Sequence, residues 1–472
     1  MKLYNSLTRT TEEFVPLKPP TVGLYTCGQT VYDYTHIGHG RKYVGDDILR
    51  RVLARFGYQV THVQNVTDVG HLVSDADEGE DKLEKGAAKT GKTVWEVAEY
   101  FTKNFYDAMD RLNILRPTII CKATEHIAEQ IALIEKLLAN GKAYDTPEAV
   151  YFDVTKFSGY GSLFGQKLEE KNTAVRRSVK TGEYKKHPAD FALWFKRVGR
   201  FAGHVMHWDS VFGDGFPGWH IECSAMAMKY LGDTIDIHTG GIEHMAVHHP
   251  NEIAQSEGAT GKQFVRLWIH HGHLMIDGMK MSKSLGNIVT VDDVAGKNID
   301  PLALRYFYLT AHYKKPINFT WEALANAAKG LEELVQQVSA MKRQSRARTT
   351  VSVEKVEKID RYRRKFDDAL SNDLNMPQAL AVVWETAKSN IPSTDKYDCI
   401  MEFDQVLGLD LGRGLVSGAE EIPAEIEALV AARETYRRNK QFRQSDEVRK
   451  ELQSKGYLLE DLPTGPRVTR IR

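Results

Sequence analysis

Three groups of residues in this sequence have the types and spacing to do chemistry. The first is residues 25–41, YTCGQTVYDYTHIGHGR, where Cys27 follows an apolar alternating run and His36-Ile37-Gly38-His39 comes nine residues later. Gly38 lets a ligand approach the backbone, the two histidines can donate to phosphate oxygens, and a helix opening here favours anions. The second is residues 280–284, KMSKS, flanked by Gly278 and Gly286. Two lysines in such a loop can reach a triphosphate and neutralise the charge that builds up during displacement at its α-phosphorus. The third is dispersed: Cys223 in GWHIECSAM (218–226), and His248 and Glu252 in VHHPNEIAQSE (247–257). With Cys27 they make two thiolates, an imidazole and a carboxylate, a four-coordinate Zn²⁺ set. Each group alone also has an ordinary reading, as a strand-to-helix turn, an exposed lysine loop or buried core cysteines.

The elements that must position these residues can be read from periodicity. Residues 21–27 and 58–66 alternate like strands, and 43–56 carry apolar residues at helical spacing, with Gly57 as a stop. This β-α-β unit implies a parallel sheet with a crevice at the strand C-termini, where Cys27 and the HIGH turn lie. Residues 71–90 read as a charged surface loop with some helix. Residues 94–113 read as a helix with Val94, Val97, Phe101, Phe105, Met109 and Leu112 as its buried stripe. Thr124 reads as the N-cap of a helix over 125–140. Short alternating pieces over 145–205 form a β-rich insertion, and strands return at 234–238 and 263–270. Beyond residue 300 strands vanish. Helices are expected at 321–341, 359–371, 377–389, 423–439 and 443–455, with an exposed basic loop over 342–353.

The fold class expected is therefore α/β: a Rossmann-like parallel-sheet catalytic domain with a β-rich insertion, followed by an α-helical C-terminal bundle. The boundaries read as 1–144 and 206–260 for the catalytic domain and 145–205 for the inserted connective segment. Then come a KMSKS-containing region over 261–320, a helical domain over 321–415 and a small helical domain over 416–472.

Composition sets limits. The 472 residues carry 63 Lys+Arg and 63 Asp+Glu, so no global basic field draws in nucleic acid, and any RNA contact must come from local patches. The opening MKLYNSLTRTTEEF lacks the apolar stretch of a signal peptide, and no apolar run is long enough to span a bilayer. The four cysteines are scattered without a CxxC pair. A cytoplasmic protein without disulfides or a membrane partner is expected.

Taken together, HIGH and KMSKS in this order on an α/β unit resemble the signature pair of the class I aminoacyl-tRNA synthetases. Over nearly the whole chain the sequence resembles cysteinyl-tRNA synthetases, through YTCGQTVYDYTHIGHGR, GWHIECSAM, HHPNEIAQSE and KMSKSLGN. DDALSNDLNMPQALA (367–381) resembles that family's anticodon-side domain and RNKQFRQSDEVRKELQSKGYLLED (438–461) its C-terminal end. The resemblance implies a ligase that activates L-cysteine with ATP and Mg²⁺ to cysteinyl-adenylate and transfers cysteine to tRNA(Cys), most simply as a monomer. It matches the zinc ligands to Cys27, Cys223, His248 and Glu252, and the amino-acid pocket to Thr67 and Trp219. His36, His39, Lys280 and Lys283 fall at the catalytic positions, and Gly28, Gly38 and Glu243 join them around ATP. The zinc would seat the substrate thiolate, and the roughly 60-residue insertion is small beside an average domain of about 100–150 residues, so no editing domain is expected.

The sequence departs from the family pattern in three places. HTGGIE (238–243) stands where HGGG and an aspartate are usual, so the ribose contact would fall to Glu243. Pro250 replaces a glutamate, which leaves His249 competing with His248 for the metal. NVTDVGHL lacks the acidic pair that commonly follows NITD, so only Thr67 carries over. Three other readings remain open: a related ligase passing cysteine to an amino sugar, an RNA-binding protein on a synthetase scaffold, and a zinc-stabilised protein without turnover.

Overall fold

The computed structural model describes residues 1–70, 81–163, 165, 184–282, 285–344, 351–413, 423–439, 441–455, 457–462 and 465–470. Two compact units divide the chain, 1–411 and 412–472.

The first unit is built on a five-stranded sheet. Its strands are β1 (Thr21–Thr26), β2 (Gln59–Val66), β3 (Ile119–Lys122), β4 (Ile235–Gly241) and β5 (Val265–His271). They lie in the order β5-β4-β1-β2-β3, and every pairing is parallel. Strand β1 is central, and the chain turns left of it and right of it in separate excursions. The C-terminal end of β1 is thus a topological switch point, where open parallel sheets form their ligand crevice. Burial on both faces explains the apolar strands: Val22 and Leu24 pack on one side, Tyr25 and Cys27 on the other.

Helix α1 (Ile37–Arg55) follows β1 directly and buries Val44, Ile48, Leu49, Val52 and Leu53 against the sheet. Gly57, at φ +86°, adopts the left-handed conformation that turns the chain into β2. The helix Val94–Arg111 starts with a Thr93–Glu96 capping box and buries all six residues expected of its stripe.

An antiparallel sheet of Ala143–Asp145, Ala149–Phe152, Phe191–Lys196 and Gly215–Pro217 forms the β-rich insertion. Its last strand runs through Gly218 into helix α2 (Trp219–Leu231). A side chain at Gly218 would strike the carbonyl of Ala192, so glycine lets the insertion seat the start of α2. Helix α3 (His248–Thr260) follows β4. Strand β5 belongs to the main sheet, although it lies beyond the expected limit of the catalytic domain at residue 260. A smaller sheet of Leu274–Ile276, Met279–Lys280 and Ile317–Phe319 carries the lysine loop.

Four helices complete this unit: Trp321–Gln344, Val353–Ser371, Met376–Lys388 and Ser393–Leu407. They are joined to α1 through Arg305, fully buried, which pairs with Asp47 at 2.5 Å and donates to the carbonyls of Leu112 and Leu407. The second unit packs the helices Ala424–Arg438 and Phe442–Ser454 on a hairpin of Tyr457–Leu462 and Gly465–Arg470, with Ile426, Leu452, Tyr457 and Leu459 in its core.

Several elements differ from expectation. Thr124 is not an N-cap: its N–H and hydroxyl both donate to the Asp68 carboxylate, and a 3₁₀ turn over Ala123–His126 precedes the helix Ile127–Ala139. The helix Ser393–Leu407 was not foreseen, nor were the N-terminal hairpin of Lys2–Asn5 with Thr10–Glu13 and the C-terminal hairpin. Of the charged stretch 71–90, residues 71–80 lie outside the described residues. Lys82–Thr90 is a helix, capped by buried Asp81 and anchored by Leu83. Part of the basic loop, 345–350, is also outside them.

Candidate functional site

At the C-terminal end of β1 four buried side chains from three elements converge. Cys27 follows β1, Cys223 lies in the second turn of α2, and His248 and Glu252 lie one turn apart at the start of α3. One donor atom from each lies within 4.8 Å of every other, and all four residues are buried. Glu252 Oε1 is 2.8 Å from His248 Nε2, and its Oε2 is 2.7 Å from His238 Nε2. The other ring nitrogen of His248 shares a 2.8 Å hydrogen bond with His220 Nδ1, which orients the imidazole and leaves Nε2 facing the cluster. Pro250 sits inside the first turn of α3, where its missing N–H costs nothing.

His249 also faces this centre. Its Nε2 is 3.5 Å from Cys27 Sγ, and its Nδ1 is 2.7 Å from His270 Nε2. It belongs to an overlapping group of Cys27, His238, His249 and Glu252 that contains one thiol rather than two.

The electrostatics are those of a small charged cluster in a dry place. Burial disfavours ionised His248, but Glu252 and Cys223 outweigh it and push its pKa up to about 10. Burial likewise opposes the Glu252 carboxylate, but His238 and His248 hold it ionised well below its ordinary range. The Cys223 thiol is pushed down by a hydrogen bond from Cys27, while burial pushes Cys27 up. Burial and the surrounding histidines keep His249 neutral.

The HIGH turn lies at the mouth of the same crevice. His36 is the N-cap of α1: its Nδ1 accepts from the His39 N–H at 3.2 Å, and the two rings stack at 3.4 Å. Gly38 is packed against Met281, the second residue of KMSKS, closely enough that a β-carbon would approach its methyl to 2.7 Å. The chain after the lysine loop is stitched to the turn, since the Ile37 N–H donates to the Val289 carbonyl at 2.9 Å. Asn287 folds the loop by accepting from the Ser282 N–H and donating to the Lys280 carbonyl. The structure thus brings HIGH and KMSKS together. Lys280 is exposed at the crevice edge, and Lys283 lies outside the described residues.

The remaining expected residues divide into two groups. Trp219 opens α2 and stacks on His248 at 4.4 Å, directly over the cluster. Thr67 is buried just past β2, where its hydroxyl accepts from Asn65 Nδ2 and its backbone pairs with the loop after Cys27. Gly28 donates its N–H to Asn65 Oδ1 at 2.7 Å, and a side chain there would run into the Asn65 carbonyl. Glu243 is the outlier. Its carboxylate is 60% exposed, 3.8 Å from His273, on the rim of the crevice.

The chain matches the family model for the class I (C) tRNA synthetase catalytic domain over residues 13–329, and that for the cysteinyl-tRNA ligase anticodon-binding domain over 419–465. It is 44% identical to cysteine–tRNA ligase 1 of Burkholderia lata, covering 99% of this chain and 96% of that one. It is 41% identical to the cysteine–tRNA ligase of Treponema denticola, with 98% of each covered. The chain belongs to the cysteine–tRNA ligase family. Among solved structures its fold is similar to a leucyl-tRNA synthetase of Agrobacterium radiobacter (TM-score 0.58, 13% identity, 84% of each chain). It also resembles a methionyl-tRNA synthetase of Mycobacterium tuberculosis (TM-score 0.54, 16% identity, 82% of this chain and 90% of that one).

Sequence reasoning missed part of what surrounds this cluster. His220, His238 and His270 are hydrogen-bonded to the cluster residues, and Trp268 stacks on His238 at 4.6 Å. The signal was present for two of them, since His220 precedes Cys223 by three residues and His238 ends the TIDIH run. Nothing in local spacing marks His270.

Proposed function

We infer that the chain is an ATP-dependent cysteine–tRNA ligase whose amino-acid site is a zinc centre of Cys27, Cys223, His248 and Glu252. The observation carrying this reading is the convergence of those four buried donor atoms within 4.8 Å at the end of β1. Two thiols, one imidazole and one carboxylate suit Zn²⁺, whose structural and catalytic sites use these donors. His248 is preferred to His249 because its group keeps both thiols. When bound, the ion supplies a Lewis-acid seat that prefers a thiolate to a hydroxyl, and so separates cysteine from serine where a shape-based pocket gains little. Trp219, stacked on His248, and buried Thr67 are assigned to the amino-acid pocket.

The chemistry is in-line transfer. The cysteine carboxylate attacks the α-phosphorus of ATP, accompanied by Mg²⁺; the bond to the leaving pyrophosphate breaks and cysteinyl-adenylate forms. A hydroxyl of the terminal tRNA ribose then attacks the acyl carbon and AMP leaves. His36, His39, Lys280 and Lys283 offset the charge on the phosphates, Gly38 lets Met281 of the lysine loop close on the HIGH turn, and Glu243 takes the ribose contact from the rim. Positioning and electrostatics supply the rate, so no general base is assigned.

The test is cysteine-dependent exchange of pyrophosphate into ATP, followed by charging of purified tRNA(Cys). Exchange with charging is expected, together with one zinc per chain. Absence of exchange would overturn the ligase reading, and exchange without charging would point to transfer of cysteine to a small amine such as an amino sugar.

A further inference from the structure

The residue after the HIGH stretch has a role that the catalytic reading leaves unassigned. Lys42, on the first turns of α1, does not reach into solvent. Its ammonium turns back to the carbonyl of Cys27, donating at 2.6 Å, and its side chain is only 11% exposed. Asp46, one turn further along α1, holds the ammonium in an ion pair of 2.8 Å. Asp46 is itself gripped by His271 at the end of β5, at 2.9 Å, and both side chains are 2% exposed. Gly45 makes this contact available, because the His271 ring occupies the place its side chain would take.

The Cys27 carbonyl does not need Lys42 for satisfaction alone, since the Tyr43 hydroxyl also donates to it, at 3.2 Å. Two donors on one carbonyl fix its direction. The other end of the residue is fixed too, as the Cys27 N–H donates to the Thr239 carbonyl on β4 at 3.3 Å. Cys27 stands just past the end of β1, where the chain leaves the sheet. A rotation of its peptide there would swing the sulfur away from Cys223, His248 and Glu252.

We propose that Lys42 is a positioning residue for cysteine recognition: anchored through Asp46 and His271, it clamps the Cys27 carbonyl and so aims the Cys27 sulfur at the metal centre. The proposal rests on the zinc-centre reading. It acts through backbone geometry, as hydrogen-bond partners one layer out from a metal commonly do, and losing such a partner costs about ten- to a hundredfold in metal affinity or activity.

The test uses the full-length protein loaded with Co²⁺ in place of zinc, and reads the thiolate-to-cobalt absorption and the Co²⁺ affinity. It also reads KM for cysteine and for ATP in pyrophosphate exchange. Lys42→Met is expected to weaken Co²⁺ binding and raise the cysteine KM by about tenfold or more, with ATP KM unchanged. Lys42→Arg, which can still reach the carbonyl with a charged donor, is expected to recover most of both. Unchanged cobalt absorption, Co²⁺ affinity and cysteine KM in Lys42→Met would overturn the proposal, as would a lowered melting temperature with those three quantities intact. If Lys42→Met does not fold, Lys42→Ala, which likewise has no donor for the carbonyl, carries the same comparison. Failure of the wild-type protein to show any thiolate-to-cobalt band would instead overturn the zinc reading beneath it.

Discussion

The two halves of the proposed reaction centre, the cysteine side and the nucleotide side, are built on opposite principles. The cysteine side is closed: four donors, all buried, come from three elements of the sheet domain and are held by further histidines. The nucleotide side is open. Its Glu243 stands on the rim, Lys280 is exposed, and the two HIGH histidines stack on each other. The difference follows from the ligands. A thiol must be told from a hydroxyl, which demands a few donors fixed before the substrate arrives. A triphosphate carries its own charge, and exposed lysines can meet it on arrival at little cost in desolvation.

The comparison breaks most sharply at Cys223. Cys223→Ser removes one of the two thiols in the four-residue group. It is expected to lose zinc and to lower kcat/KM for cysteine by more than about a hundredfold, with ATP binding retained. Metal analysis beside exchange kinetics checks it. Retained zinc with normal cysteine affinity would remove Cys223 from the ligand set.

A smaller and different effect is expected on the open side. Lys280→Ala removes a charge that counts mainly when the phosphate charge builds up, so kcat for exchange should fall by about a hundredfold or less while cysteine KM and zinc content stay put. A matching rise in cysteine KM would show that the two halves are not separable in this way.

The same contrast explains what could be read from the sequence. The β-α-β core around Cys27 was legible because strands buried on both faces and a helix with Val44, Ile48, Leu49, Val52 and Leu53 at 3.6-residue spacing leave strong periodic marks. Cys27, Cys223, His248 and Glu252 could be named from residue type as a candidate metal set, but their convergence depends on β4, α2 and α3 returning to one sheet end, which no local pattern encodes. Thr124 illustrates the reverse failure. Its type and place fit an N-cap, yet Asp68, 56 residues away, claims both its hydroxyl and its N–H. The helix Ser393–Leu407 buries Cys399, Ile400, Phe403, Val406 and Leu407 at helical spacing, but it opens on a polar stretch, STDKYD, with little apolar signal. Lys42 carries no mark in the sequence, because its partner, the Cys27 carbonyl, is supplied by the fold from 15 residues back.

The smallest effect sharpens the comparison from beneath the closed half. His62 on β2 lies under the end of β1, with its Nε2 3.0 Å from Thr26 Oγ1, and it is buried. Burial, only partly offset by Asp46, holds its pKa down at about 3, so the folded protein keeps the ring neutral. An unfolded histidine takes up a proton near pH 6.5. Below that point the unfolded state binds more protons than the folded one, so stability falls as pH drops from about 6.5 toward 3, by up to about 1.4 kcal/mol for each pH unit. Above pH 7 the ring is neutral in both states and contributes no slope. His62→Gln keeps a partner for Thr26 but cannot titrate. Between pH 7 and 5.5 its denaturation midpoint should therefore fall less than that of the wild type, even if the variant is less stable throughout. Equal slopes would mean that the ring is charged inside the folded sheet, and the floor of the cysteine site would then be wetter than its burial implies.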